Sequence, residues 1–244
     1  MRSLSVSELL SVWENGHTHR PIERALTLLA AACPDISRDS LSSMSIGQRD
    51  AQLLKLREMI FGSKIVSMAI CPECQERLEI TFNVTDILIE SAAGEAAVFS
   101  FETDGYNVRF RLPNSLDLYG VLDPTEIDQA RQMLFERCVV KTSEHGKEIS
   151  ANELPPRIMQ AVIKHMAQVD PQADVRVALI CSACGHKWNA FFDIVSFFWS
   201  EVSALTKRLL REVHILASTY GWCENDILTL SPVRRQIYMD LIQE

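Results

Sequence analysis

Two C-x-x-C pairs with matching flanks, one strongly marked β-hairpin, and helical periodicity towards both ends of the chain together predict an α+β fold. The expected architecture is a zinc-ribbon-like β core with a long inserted β-hairpin and helices, flanked by N- and C-terminal helices. The expected divisions are an N-terminal helical region over 1–65, a split ribbon core over 66–195 whose insertion runs from 91 to 174, and a C-terminal helical region over 196–244.

Val6, Leu9, Leu10 and Trp13 recur at helical spacing, and Ile22, Ala25, Leu26 and Leu29 do so again beyond the NGHTHRP break. Two short amphipathic helices are therefore expected first. Ser45 followed by Gln48 makes a capping box for a third helix to about Phe61, with Leu53, Leu54, Leu56 and Ile60 supplying apolar surface and Gly62 the stop. From Ala97 to Leu112, VFSFET-DG-YNVRFRL alternates around Asp104-Gly105, a turn pair that favours positive φ, and predicts a hairpin. Asp123-Pro124 with Glu126 opens a helix through Val140, with Ile127, Ala130, Leu134 and Cys138 on one side. A polar stretch rich in Lys and Glu leads to another helix near 156–167. Phe198, Val202, Leu205, Leu209, Val213 and Leu216 mark a long amphipathic helix. Ser231-Pro232 starts a last one carrying Ile237, Tyr238, Leu241 and Ile242, whose apolar face needs a partner.

The chemistry-bearing pattern is the cysteines. Cys71, Cys74, Cys181 and Cys184 form the two C-x-x-C pairs, while Cys33, Cys138 and Cys223 stand alone as core or near-surface filling. The N-terminus has no apolar run of secretory length, so a reducing compartment is expected, where this spacing reads as metal ligation rather than a disulfide framework. Two thiolates on a tight knuckle can point at one ion, and two knuckles complete a closed tetrahedral site with no position for water. The expected cofactor is therefore one structural Zn2+ per chain, held by those four residues. ICPECQERLEITFNV and LICSACGHKWNAFFDI share a plan: apolar residue, knuckle, polar turn, β-like run. Gly185 can take positive φ after the second knuckle; Gln75 must tolerate it after the first. The stretch 75–180 between the pairs is far longer than the span inside a compact ribbon, so a shared ion would clasp distant parts of the chain. The competing readings are two redox pairs, an Fe–S cluster and four buried apolar cysteines. The redox reading lacks the strand-to-helix context that lowers a thiol pKa, and buried filling does not call for the same knuckle twice. His186 could replace a thiolate, and His17 and His19 make no site by themselves.

Composition narrows the function. Of 244 residues 47% are hydrophobic and 23% charged, with a net charge of −8, which suits a folded domain and argues against a general phosphate-binding surface. The apolar stretches fall short of a membrane span. No Walker loop, G-x-S-x-G or H-E-x-x-H occurs, and no carboxylate pair is marked by spacing, so no enzyme is expected. Five cations and five acids cancel between Ala204 and Glu244, and Phe191, Phe192, Phe197, Phe198 and Trp199 form an aromatic cluster expected to be mostly core.

Several segments taken together resemble the T4-type phage baseplate and hub-assembly proteins, a family also found in contractile injection systems. They are SIGQRDAQLLKLREMIFG running into CPEC, FRLPNSLDLYGVL, ARQMLFERCVV, DPQADVRVALICSACGHKW and REVHILASTYGWCENDILTLSPVRRQIYMDLI. The resemblance implies a structural or assembly component of a contractile-tail baseplate without a known active site. It implies baseplate, hub or other tail-assembly proteins as partners, in the cytoplasm of the producing bacterial cell, with or without retention in the tail particle. No nucleic acid, membrane or small-molecule substrate is expected. Two other classes stand beside it: a zinc-ribbon nucleic-acid-binding regulator, disfavoured by Glu73, Glu76 and Glu79 against Arg77 at the first knuckle, and a zinc hydrolase, which needs an open coordination position.

Overall fold

The structure is a computed structural model that describes residues 1–89, 98–121 and 127–243. Four helices come first: α1 (Val6–Gly16), α2 (Pro21–Ala32), α3 (Arg38–Ser43) and α4 (Ile46–Phe61). The capping box at Ser45 forms as expected: Gln48 N–H donates to the Ser45 hydroxyl, and the Gln48 amide oxygen accepts from Ser45 N–H. Ser5 and Glu8 make the same reciprocal arrangement on α1. The periodic residues Ile22, Ala25, Leu26 and Leu29 of α2 and Leu53, Leu54 and Leu56 of α4 are all buried. The short α3 was not expected, because six residues offer too little period to read.

The first knuckle joins β1 (Lys64–Ile70) to β2 (Arg77–Asn83), followed by a single turn, α5 (Val84–Ile87). The second joins β7 (Arg176–Ile180) to β8 (Lys187–Phe191), followed by α9 (Ile194–Tyr220). Each pair is an antiparallel two-stranded sheet. Ile65 of β1 and Val84 at the start of α5, with Val175 just before β7 and Ile194 and Val195 at the start of α9, enter one hydrophobic core with α1, α2, α4 and Phe198, Trp199 and Val202 of α9. Arg57 of α4 locks that junction, holding Glu201 of α9 through two hydrogen bonds of 2.7 and 2.9 Å while almost wholly buried.

Between the knuckles lies a second core. The hairpin β3 (Phe99–Thr103) and β4 (Tyr106–Phe110) turns at Asp104 and Gly105, with φ of 50° and 81°. The predicted start at Ala97 lies outside the described residues. A short α6 (Ser115–Tyr119) and α7 (Ile127–Cys138) follow; the predicted Asp123-Pro124 opening and Glu126 also lie outside the described residues. The helix ends at Cys138, not Val140, because Val139 and Val140 begin β5 (Val139–Glu144). This β5 pairs with β4 and with β6 (Lys147–Ile149), making a four-stranded sheet in the order β3-β4-β5-β6. The Lys- and Glu-rich stretch is thus a second hairpin, turning at His145 and Gly146. Val108 and Phe110 of this sheet pack with Phe135, Cys138 and with Ile158, Val162 and Met166 of α8 (Pro156–Val169).

Beyond the first core, α9 runs on as a single helix and carries α10 (Glu224–Thr229) and α11 (Pro232–Gln243) against its distal half. Arg235, buried in α11, donates to Glu212 of α9 at 2.6 Å, and Tyr238 packs on Tyr220 and Trp222. In the aromatic cluster Phe198 and Trp199 are core, whereas Phe191 is exposed, because strand alternation places it opposite Arg176 on the outward face.

Candidate metal centre

Both knuckles fold by the same local rule. In the first, Cys71 N–H donates to the Glu76 carbonyl at 2.9 Å and Gln75 N–H to the Cys71 carbonyl at 3.0 Å. In the second, Cys181 N–H donates to the His186 carbonyl and Gly185 N–H to the Cys181 carbonyl, both at 2.9 Å. The fourth-residue turn requires the left-handed region, and Gln75 sits there at φ 62° where its counterpart Gly185 sits at 74°. The glutamine bears the conformational cost that the glycine avoids.

The four predicted residues come together. The Sγ atoms of Cys71 and Cys184 are 3.7 Å apart, those of Cys74 and Cys181 are 3.5 Å apart, and all four lie within 4.8 Å of one another. Four sulfurs at about 2.3 Å from a tetrahedral ion would stand about 3.8 Å from each other, whereas a disulfide needs about 2.05 Å. The geometry therefore suits a shared cation and no disulfide. Cys71 and Cys181 are buried at the strand ends; Cys74 and Cys184 are exposed at the knuckle tips. Among the described residues this is the one group of histidine, cysteine or acidic side chains close enough to share an ion.

The thiols perturb one another. The N–H groups of Cys184 and Ala183 draw the Cys181 thiol down to about 7. The Glu76 N–H draws on Cys74, yet the surrounding thiols of Cys184, Cys181 and Cys71, with burial, push it up to about 12. Cys184 is likewise raised despite the His186 N–H. Four thiols this close do not ionise together without a cation among them. His186 is not part of the group; its ring stacks on Trp188 at 6.0 Å. Cys33 and Cys138 are buried in the two cores, and the exposed Cys223 thiol donates to Asp226 at 3.0 Å.

The likeness of the two halves extends beyond the knuckles, which the motif alone did not reveal. Residue for residue, Ile70 corresponds to Ile180, Cys71 to Cys181, Cys74 to Cys184, Phe82 to Phe192 and Asn83 to Asp193. The contact between Cys71 and Cys184 maps onto that between Cys181 and Cys74, so the halves exchange about the centre of the cluster. The equivalent Phe82 and Phe192 meet edge to face at 5.4 Å, and the equivalent Asn83 and Asp193 are the N-caps of α5 and α9. The signal was present in the sequence as the shared phenylalanine and capping residue, one strand beyond each knuckle.

A family model described as T4 bacteriophage base plate protein matches residues 4–199. The chain belongs to that family. The matched span contains both knuckles and nearly all of both cores, and stops within α9. No curated protein and no solved structure matches the chain. Among the described residues no helix is long and apolar enough to cross a membrane.

Proposed function

We propose that this protein is a structural or assembly component of a contractile-tail baseplate, and that one Zn2+ bound by Cys71, Cys74, Cys181 and Cys184 holds it together. The observation that carries the reading is the convergence of four thiols from two distant knuckles, inside the span matched by the baseplate family. With four protein sulfurs on the ion no position is left for water or substrate, so the role of the centre is mechanical. When bound, the ion supplies a positive charge that lets the thiols ionise and a link between two segments of chain. The chain's own residues do the rest: the knuckle N–H groups of Glu76 and His186 face Cys74 and Cys184, and Phe82 and Phe192 press the two hairpins together below the cluster.

In this reading the protein works by docking to other baseplate, hub or tail-assembly proteins in the cytoplasm of the producing bacterial cell. It turns over no substrate and uses no nucleic acid or membrane. Affinity purification from tail-producing cells, with mass spectrometry of assembly intermediates and of mature particles, tests this. Co-isolation with tail proteins at one of those stages is the expected result. Recovery without tail proteins at every stage contradicts it.

A further inference from the structure

Two helices of the insertion, α7 and α8, leave a groove that wants a helix. On α7, Ile127, Ala130 and Leu134 follow one another at helical spacing, the stripe the sequence marked as apolar, yet Ile127 is 85% exposed. Across from them α8 presents Ile163, Met166 and Ala167 at the same kind of spacing. Together they wall an apolar cleft of about 490 Å³. Two helical stripes side by side form the receptor of a helix-in-groove contact, which takes anchors spaced at three or four residues.

A ridge of that kind stands on the same chain. On α11, Val233, Ile237 and Leu241 are 72%, 54% and 54% exposed and lie one above another at four-residue spacing. No other described helix carries three such exposed apolar residues in one line. The ridge spans about 12 Å, close to the roughly 10.5 Å of the α7 stripe from Ile127 to Leu134. It cannot turn into its own groove, since α11 is pinned to α9 by the buried Arg235 on Glu212 and by Tyr238 against Trp222. The charges are complementary. Arg131 lies on the groove and makes no ion pair among the described residues, while the exposed Asp240 borders the ridge; Arg234, at the other end, can share the rim residue Asp174 with Arg176. Such rim pairs set orientation more than affinity.

We infer that the groove between α7 and α8 receives the Val233–Ile237–Leu241 ridge of a second copy of this chain. The contact is between unlike surfaces, so copies pair reciprocally or add head to tail into a ring or row. It goes beyond the baseplate reading and does not depend on the metal.

Sedimentation velocity on the full chain tests it, with Ile237→Glu on the ridge and Ala130→Glu or the exposed Ile127→Glu in the groove. At about 50 µM, where a micromolar contact leaves most chains associated, wild type is expected to sediment as at least a pair. Each variant is expected at the single-chain mass with an unchanged circular dichroism spectrum. Mixing Ile237→Glu with Ala130→Glu leaves one intact groove and one intact ridge, and is expected to restore a one-to-one pair. A wild type that stays monomeric, variants that associate as wild type does, or mixtures of Ile237→Glu with both folded groove variants that stay monomeric would overturn the inference.

Discussion

Replacing Cys184 by Ser, or removing the ion with a chelator, should weaken the whole fold and not one loop. The sulfur contacts join residues 113 and 107 positions apart. Closing a loop of about 100 residues costs the unfolded chain an entropy worth about 5 kcal/mol, by analogy with a disulfide of that span. A metal link shared by four ligands can lose one and keep partial affinity, so we expect about 3 to 5 kcal/mol for chelation and less for a single serine. The loss reaches the core because Ile65, Val84, Ile194 and Val195, at the ends of the two hairpins away from the knuckles, belong to the same cluster as Leu28 and Leu54. Urea unfolding followed by far-UV circular dichroism, with and without chelator, reads it out. At a slope of about 2 kcal/mol per molar urea the midpoint should fall by about 1.5 to 2.5 M on chelation. Unchanged midpoints for chelated wild type and for Cys184→Ser would refute the reasoning.

Three further outcomes follow from local geometry. Gln75 holds a left-handed backbone with a side chain, so Gln75→Gly should stabilise by about 0.5 to 1 kcal/mol, while Gly185→Ala at the equivalent position should cost about 1 kcal/mol; paired unfolding curves check the opposite signs. Burial pushes Asp50 up to about 6 against the pull of Arg49, with Asp193 and Asp170 adding to it. A carboxyl raised in the folded state favours folding when protonated, so its contribution is most favourable below about pH 4 and is lost as pH rises to about 6. Wild type should therefore lose about 3 kcal/mol more than Asp50→Asn across that window, measured by unfolding at each pH. Finally, a Cβ on Gly47 would lie 1.9 Å from Asp170 Oδ1, whose partner oxygen accepts the Gly47 N–H at 2.9 Å. Gly47→Ala should destabilise by about 2 kcal/mol or more, and a thermal midpoint equal to wild type would contradict that packing.

What could be read from the sequence was local and chemical. The capping box at Ser45, the turn at Asp104-Gly105 and the paired knuckles each write their geometry into a few neighbouring residues, and each appears in the structure. The long helix from Ile194 was legible because its apolar residues keep one period across many turns. What escaped was short or set by distant partners. The hairpin at His145-Gly146 hides in a charged stretch, since β6 has only three residues and both strands keep much of their polar surface in water. The break at Cys138 was invisible because Val139 and Val140 continue an apolar pattern, and only pairing with β4 turns them into strand. The exposure of Ile127 and Phe191 was likewise beyond reach, as apolar character does not say whether a covering element exists. Spacing alone singles out the four cysteines, whereas the Phe82–Phe192 contact and the core shared by both hairpins, which accompany their convergence, involve partners far apart in the chain.

One cation between two far-separated knuckles is what holds the two hairpins together in the proposed structure. X-ray absorption at the zinc edge on purified protein, with metal counted per chain, tests it most directly. One zinc per chain with four sulfur neighbours at about 2.3 Å is the expected result. A shell containing nitrogen or oxygen, or protein that is as stable without zinc as with it, would contradict it.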